Sequence, residues 1–320
     1  MYDRAPGPAR VPVNLFAAVH YLLLADRDAP LARFYPNLAG ATVATGDPVP
    51  AFLAYCDDHA EEIRRLVATR LPQTNETGRS ALLVAGFGRL PAGPKAHLDV
   101  GASAGLNLLL DRFAYDDGDS VLGESPLVLE CSVRPPGRRL ADRLPTIASR
   151  LGLDAHPLDL AEGDDVRWLE ACVWPDQSDR FRRLERAVEI FRAHPATVRS
   201  GDAVDDLAAA VASLGPGDPV VTTSWALSYL DPSRQQEFVA ELDRIGTGRD
   251  LAWVWAESPP VVPALPVDAA LRGDDLTVLG VSTWSGGVRT DRSLARCHPH
   301  GYWLRWLDGV SPDAGAGTSD

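Results

Sequence analysis

The chain has 320 residues, of which 44 are acidic and 31 basic, so its formal net charge at pH 7 is −13. This length suits one large domain or two closely packed ones, and the negative charge argues against nucleic acid or an anionic membrane as partner. The four cysteines lie far apart without any Cys/His cluster, which favours neither a metal site nor a disulfide framework. Without a recognisable signal peptide or membrane span, a cytoplasmic protein is expected.

The first predicted region, residues 13–92, is helical. Apolar residues recur at helical spacing in three segments, residues 15–24, 49–71 and 78–90. Pro72 ends the second of them, and a Pro/Gly connector follows the third. We therefore expect a helical N-terminal cap that ends near residue 92.

Residues 97–113, HLDVGASAGLNLLLDRF, indicate a strand, a turn of small residues and a helix. A helix that begins near Ala104 would direct its free N–H groups and its positive dipole end into the turn. The pattern D-x-G-x-S-x-G, which begins at Asp99, differs by one residue from the turn that opens the S-adenosylmethionine site of class I methyltransferases. Ser103 stands where the middle glycine of that turn would be.

The same turn also matches G-x-S-x-G, the motif that carries the nucleophile of α/β-hydrolases. In this alternative Ser103 would be the nucleophile, with His298 or His300 as the base. The motif follows the first recognisable strand of the α/β region rather than a later one, which favours a loop role for Ser103.

Strand and helix patterns then alternate from about residue 97 to residue 256. Strand-like segments are residues 126–133, 153–160, 219–224 and 251–256, and helical ones are residues 165–193, with an interruption at Pro175, 203–214 and 231–245. The alternation predicts an α/β fold with a doubly wound, mostly parallel, Rossmann-like sheet. Antiparallel strands are expected at residues 276–283, 287–290 and 302–307. The core region would span residues 93–310, with residues 311–320 as a disordered tail.

Polar residues that follow the predicted strands are candidates for cofactor binding, because ligands of open parallel sheets bind at the carboxyl ends of the strands. These residues are Asp99, Glu130, Asp159, Asp202 and Glu257. We expect Asp99 to bind the cofactor together with Gly101, Ser103 and Gly105 of the turn. Asp159, or alternatively Glu130, would accept both ribose hydroxyls. Asp202 would accept from the adenine amino group or, equally well, cap the next helix.

Two further groups are candidates for contact with a substrate. Ser224, Trp225 and Tyr229 follow the predicted strand at residues 219–224 and would line the pocket, unless the aromatic rings are simply packed. The polar turn QTNET supplies Gln73, Asn75 and Glu76, with Arg79 one helical turn later. Asn75 would orient a substrate, Glu76 would act as general base, and Arg79 would bind an anionic group. The alternative is that Asn75 or Thr77 caps the helix and Glu76 pairs with Arg79 on the surface.

Several longer motifs together carry a family resemblance. They are HYLLLADRDAPLARFYPNL, QTNETGRSALL, LDVGASAGLNLLLDRFAYDDG, VWPDQSDR, RSGDAVDDL and HPHGYWLRWL. On these motifs the chain resembles, from about residue 14 to residue 307, the bacterial family catalogued as domain of unknown function 2332. The resemblance implies a class I methyltransferase-like fold with an added helical N-terminal region. Some aziridine-forming enzymes look similar in fold.

We therefore expect an enzyme that acts on a small molecule, most simply by S-adenosylmethionine-dependent methyl transfer. A cofactor-free lyase or cyclase that uses the same pocket is the alternative from another enzyme class. A partner-binding module with a vestigial pocket is the non-enzymatic alternative.

Overall fold

The computed structural model describes residues 11–135, 138–273 and 276–307, which form two compact units. The first unit comprises the described residues up to Asn75 together with Leu158–Arg192. The second comprises Glu76–Pro157 and the described residues from Ala193 onward. The boundary expected near residue 92 stays a prediction, and the expected tail at residues 311–320 lies outside the described residues.

The described part of the chain contains nine α-helices. They are α1 (Val11–Ala25), α2 (Pro36–Ala39), α3 (Val49–Asp58), α4 (Ala60–Thr69), α5 (Arg79–Phe87), α6 (Gly163–Ala171), α7 (Ser178–Ala193), α8 (Leu207–Ala212) and α9 (Pro232–Gly248). The helix expected over residues 49–71 is divided at His59, whose backbone (φ −110°, ψ 22°) is not helical. Asp231 caps α9, since its side chain accepts from the N–H groups of Ser233 and Arg234.

Twelve strands occur in the described residues. They are β1 (Lys95–Val100), β2 (Ala114–Asp116), β3 (Val121–Leu122), β4 (Val128–Glu130), β5 (Ser132–Arg134), β6 (Ile147–Asp154), β7 (Val198–Ser200), β8 (Asp218–Ser224), β9 (Leu251–Glu257), β10 (Thr277–Ser285), β11 (Val288–Cys297) and β12 (Trp303–Trp306). Nine form one sheet in the order β5-β12-β11-β10-β9-β8-β1-β6-β7, and β3-β2-β4 form a small second sheet.

The centre of the large sheet is parallel. Strands β7, β6, β1, β8 and β9 pair in parallel, whereas β10, β11 and β12 continue the sheet antiparallel, which confirms the predicted direction of the C-terminal strands. Numbered along the chain, the parallel strands have the order 3-2-1-4-5, so the strand order reverses between β1 and β8. In an open α/β sheet this switch point is the usual place for a ligand.

Helices cover both faces of the sheet. A Cβ at Gly86 of α5 would lie 2.3 Å from the Val254 side chain of β9, and a Cβ at Gly246 of α9 would lie 2.2 Å from the Trp284 ring of β10. Trp284 pairs with Leu251 of β9. Leu251 and Val254 are three positions apart, so their side chains point to opposite faces of the sheet. This double cover explains why β8 and β9 are almost entirely buried.

Other predicted elements also differ from the structure. The strand expected over residues 153–160 is β6, Ile147–Asp154, so it ends at Asp154 and not at Asp159. The single strand expected over residues 126–133 is divided between β4 in the small sheet and β5 at the edge of the large one. The helix expected from Ala104 is only a 3-10 turn, Leu106–Leu109.

Within the described residues, no helix combines the length and the apolar character needed to cross a bilayer.

Candidate functional site

The turn after β1 lies against the loop after β8 at the switch point. Gly101 has φ +75°, and a Cβ on it would lie 2.5 Å from the Cβ of Ala226. Any side chain here would combine a disfavoured backbone conformation with a steric clash. Position 101 therefore requires glycine, which allows the backbones that follow β1 and β8 to approach each other closely.

The turn is bonded to the end of the neighbouring strand. Ser103 is buried and has φ +54°, a left-handed conformation that favours glycine. Its N–H donates to Asp154 Oδ2 at 2.7 Å, and Gly101 N–H donates to the carbonyl of Leu153 at 2.8 Å. Because only a 3-10 turn follows, no α-helix directs the positive end of its dipole at this turn. The group bonded to the turn is instead the Asp154 carboxylate.

A buried chain of hydrogen bonds crosses from β8 to β1. The Thr222 hydroxyl donates to Asp99 Oδ1 at 2.6 Å and lies 2.8 Å from His97 Nε2. Since the hydroxyl proton is directed to Asp99, His97 Nε2 must carry the proton that Thr222 accepts. Burial raises the pKa of Asp99 to about 7 and lowers the pKa of His97 to about 3. The imidazole is therefore neutral, and the Asp99 carboxyl is balanced between its two protonation states near neutral pH.

Glu257, at the end of β9, is a second buried carboxyl group. Its Oε1 accepts from Ala226 N–H at 3.0 Å and from Leu227 N–H at 3.3 Å, whereas its Oε2 accepts no hydrogen bond from any described residue. Burial raises the pKa of Glu257 to about 7. The two accepted bonds hold the loop that begins at Trp225, whose φ of +55° is also left-handed.

Arg79 brings a positive charge to the same end of the sheet. Its Nη1 donates to the Ser224 carbonyl at 3.0 Å and its Nε to the Pro299 carbonyl at 2.9 Å. Burial raises the pKa of both Asp99 and Glu257, and the Arg79 charge opposes that rise. Two carboxyl groups that titrate near pH 7 and one buried guanidinium thus share the carboxyl ends of β1, β8 and β9.

Two glycines bring the segment around Pro299 against the start of α5. A Cβ on Gly78 would lie 2.4 Å from the His300 carbonyl oxygen, and a Cβ on Gly301 would lie 2.1 Å from the Gly78 carbonyl oxygen. Backbone therefore packs directly on backbone here, and this close packing sets the distance between Arg79 and the Pro299 carbonyl.

The residues of the QTNET turn are divided between the two units. Gln73 and Asn75 belong to the first, where Gln73 N–H donates to Cys172 Sγ at 3.4 Å. Glu76 and Arg79 belong to the second, where Glu76 Oε1 accepts from Gly78 N–H at 3.0 Å. Glu76 and Arg79 are both buried, so the alternative of a pair of the two on the surface does not apply. A common role for the four residues stays a prediction.

Two predicted carboxylates have positions other than those expected. Asp159 lies beyond the end of β6, in the first unit, where its Oδ1 accepts from Ala161 N–H at 2.9 Å. Glu130 is on β4 of the small sheet. The carboxylate that ends the strand beside β1 is Asp154, which is absent from the sequence-based candidates because the predicted strand begins six residues too late.

Asp202 does not cap a helix, because α8 begins only at Leu207 with Asp206 at its N-cap position, and an adenine role for Asp202 stays a prediction. Its Oδ1 accepts from Val204 N–H at 2.8 Å and from Asp205 N–H at 3.0 Å, and it pairs with Arg234. Although partial burial alone would raise it, these backbone bonds and the Arg234 charge hold the pKa of Asp202 below its ordinary value. The carboxylate is thus engaged within its own loop and with α9.

The residues after β8 have three different environments. Ser224 is buried and offers its carbonyl to Arg79. Trp225 Nε1 donates to Thr277 Oγ1 at 2.8 Å, so the indole is bound to β10. Tyr229 is 53% exposed. The hydrogen bond to Arg79 places Ser224 directly beside the charged groups of the site.

No group of three or more His, Cys, Asp or Glu residues in the described part of the chain could hold a metal ion. His97, Thr222 and Asp154 are the residues of the site that sequence reasoning misses. A signal for Asp154 is nevertheless present, because the apolar Leu-Gly-Leu run at residues 151–153 leads directly to it.

Comparison with known proteins identifies a family. The model of a bacterial family described as "Uncharacterized protein conserved in bacteria (DUF2332)" matches residues 1–306. No curated protein matches the chain.

Proposed function

The chain belongs to this bacterial family, and from that premise we propose that it is an enzyme of Rossmann-like, class I methyltransferase-like fold that acts on a small molecule. Methyl transfer from S-adenosylmethionine is the simplest reaction. The observation that carries the proposal is the 2.7 Å bond from Ser103 N–H to Asp154 Oδ2. It joins a turn of small residues after β1 to a carboxylate at the end of β6, beside the switch point where ligands of such sheets bind.

The donor set suits the parts of S-adenosylmethionine. Asp154 has two carboxylate oxygens, one bonded to Ser103 N–H and the other to His156 N–H at 2.8 Å. Each oxygen keeps a lone pair for one hydroxyl of a ribose diol. Asp99 is a buried acceptor for an ammonium group. When bound, the cofactor would supply an electrophilic methyl group.

The chain's own residues would hold and move protons. A general base works best when its pKa is close to the working pH, and burial raises the pKa of both Asp99 and Glu257 to about 7. Glu257, whose Oε2 is buried and has no hydrogen-bond partner among the described residues, is the group that would accept a substrate proton. Arg79 would stabilise negative charge on the substrate, while its bonds to Ser224 and Pro299 fix its position.

The same groups favour a second candidate, a cofactor-free lyase or cyclase. Such a reaction needs a base to take a proton and a cation to receive an anionic leaving group. Glu257 and Arg79 supply this combination without any bound nucleoside. In the cyclisation, the substrate nucleophile forms the new bond as the leaving group departs with its bonding electrons, and the base keeps the proton.

Calorimetry of the full chain with S-adenosylmethionine and S-adenosylhomocysteine tests the first candidate. We expect a Kd of about 1 μM, equivalent to about −8 kcal/mol. Asp154→Asn should weaken binding at least about tenfold, because a partly buried acceptor loses its charge. Asp159→Asn is the matched control and should bind as the unaltered chain does.

The opposite outcome is equally informative. If neither ligand at about 1 mM gives heat or a thermal shift, methyl transfer is excluded and the lyase or cyclase proposal remains. Binding that is insensitive to Asp154→Asn but lost in Asp159→Asn would place the ribose elsewhere in the chain.

A further inference from the structure

The first compact unit contains a cavity of about 540 Å³. It is bounded by one face of α1, residues 31–35, the start of α3 and the segment after α6. Its volume falls within the range of small-molecule sites, roughly 300–1,000 Å³. All of its lining residues belong to the first unit, so a ligand of this cavity would be independent of the methyltransferase or cyclase chemistry proposed for the second.

Aromatic rings dominate the wall of this cavity. They belong to Phe16, Phe34, Tyr35, Phe52 and Trp174. The Phe16 ring centroid lies 5.6 Å from that of Phe52 and 5.9 Å from that of Trp174, with interplanar angles of 44° and 54°. Three tilted rings thus follow one another along the wall.

Two of these rings are unusually accessible. Phe16 is 42% and Trp174 is 44% exposed. Exposed apolar side chains that cluster around a concavity are a common mark of a binding site. Phe16 is carried by α1, whereas Trp174 lies in the segment between α6 and α7.

The charge of the lining is simple. His20 Nδ1 lies 3.1 Å from the Ala171 carbonyl and its Nε2 lies 2.9 Å from Asn37 Nδ2, so Nδ1 donates and Nε2 accepts. Burial lowers the pKa of His20 to about 4, so the ring is neutral at pH 7. Asp176, which is exposed, is then the one formally charged side chain among the described residues that line the cavity.

From this combination we infer that the cavity binds a small organic cation with an apolar body, such as an aryl or alkyl ammonium ion. Aromatic faces attract cations, and a desolvated ring strengthens that attraction. The Asp176 carboxylate complements the cation and opposes an anion, and the net charge of −13 raises the local concentration of cations. The apolar wall accommodates the remainder of the ligand.

Three probes of nearly equal shape separate charge from shape. They are phenyltrimethylammonium, its neutral isostere tert-butylbenzene and the anion benzenesulfonate. Binding to the full chain is followed by the fluorescence of Trp174, with Trp174→Leu used to identify its signal. We expect the cation to bind at least about threefold more tightly than the neutral isostere, and the anion to bind most weakly.

Variants at the cavity then test each contribution. Asp176→Asn should weaken the cation two- to fivefold, roughly, and leave tert-butylbenzene unchanged. Phe16→Leu keeps an apolar side chain but removes a ring face, so it should weaken the cation more than the isostere. Asp58→Asn and Leu53→Ala change exposed residues of α3 that do not line the cavity, and both should bind as the unaltered chain does.

Several results would overturn the inference. Equal affinity for the cation and tert-butylbenzene would exclude a cation site, as would unchanged cation binding in Asp176→Asn. Absence of binding for all three probes would show that the cavity takes no ligand of this size. Because Phe16, Trp174 and Asp176 are partly or largely exposed, circular dichroism should show that all variants fold.

Discussion

Thr222 and Asp99 are partners in the register of β8 and β1, and their side chains are joined by a hydrogen bond of 2.6 Å. Both residues are buried, and Thr222 also accepts from His97. One hydroxyl group therefore fixes the position of the carboxyl at the switch point and links it to an imidazole deeper in the sheet. The pKa of Asp99 therefore depends in part on Thr222, whose hydroxyl group does not ionise at neutral pH.

Replacement of that hydroxyl should lower stability. Thr222→Val has nearly the same shape but leaves His97 Nε2 and Asp99 Oδ1 without their bond, so the free energy of unfolding should fall by about 1–3 kcal/mol. Thr222→Ser keeps the hydroxyl and should lose less. Urea denaturation of the three proteins measures the difference. Equal stability of the valine and serine variants would show that the bond contributes nothing.

The pH dependence of stability should reveal the proton on Asp99. Burial raises the pKa of Asp99 to about 7, whereas an aspartate in the unfolded chain titrates near about 3.9. Between these values the native state holds a proton that the unfolded state has lost, so the contribution of Asp99 is complete below about pH 4 and is lost as the pH rises through about 7. Asp99→Asn removes this dependence.

The Tm of Asp99→Asn, relative to that of the unaltered chain, should therefore rise from pH 5 to pH 8. Scanning calorimetry at the two pH values measures it, and Asp58→Asn, an exposed acid, is the control. The same Tm difference at both pH values would mean that Asp99 ionises at its ordinary pKa in the folded protein.

Ser103 should show the cost of its left-handed backbone. With φ +54°, Ser103→Gly should be more stable than Ser103→Ala by about 1 kcal/mol, since both lack the hydroxyl and only alanine keeps the Cβ. Thermal denaturation compares the two.

A fluorophosphonate probe should not label the native chain, because a loop role requires no activated hydroxyl. Stoichiometric labelling of Ser103 would instead support the hydrolase alternative.

Asp202 should stabilise the turn before α8. Asp202→Ala loses two backbone bonds and the Arg234 pair and should lower the free energy of unfolding by about 1 kcal/mol. Asp202→Asn keeps an acceptor oxygen and should lose less. If S-adenosylhomocysteine binds, its affinity should be the same for both variants. A selective loss of affinity in Asp202→Ala, with stability unchanged, would favour the adenine role.

The strands that the sequence predicts best are those whose central residues are all apolar or β-branched. β8 and β9 are predicted within one or two residues because burial on both faces imposes such a composition. β6 is misplaced because Arg150 stands in its middle. Arg150 forms a bidentate pair with Asp111 at 2.9 and 3.0 Å, and sequence patterns cannot show this tertiary partner.

The same limit applies to the site. Asp99 and Glu257 are candidates from sequence because each directly follows or ends an apolar strand. Thr222 and His97 join them only through the register of β1 and β8, which no local pattern specifies. The helix expected after the turn has the right apolar spacing, but Leu106, Asn107 and Leu108 are all buried, so the segment has no solvent face to make it amphipathic.

The close packing of Gly78 and Gly301 has a consequence for how the protein is made. The bond from Arg79 to the Pro299 carbonyl joins residues 220 positions apart, and it cannot form before the ribosome has released the segment around Gly301. A nascent chain that already contains β1, β8 and β9 therefore still lacks this anchor. The guanidinium therefore acquires its final orientation among the last events of biosynthesis.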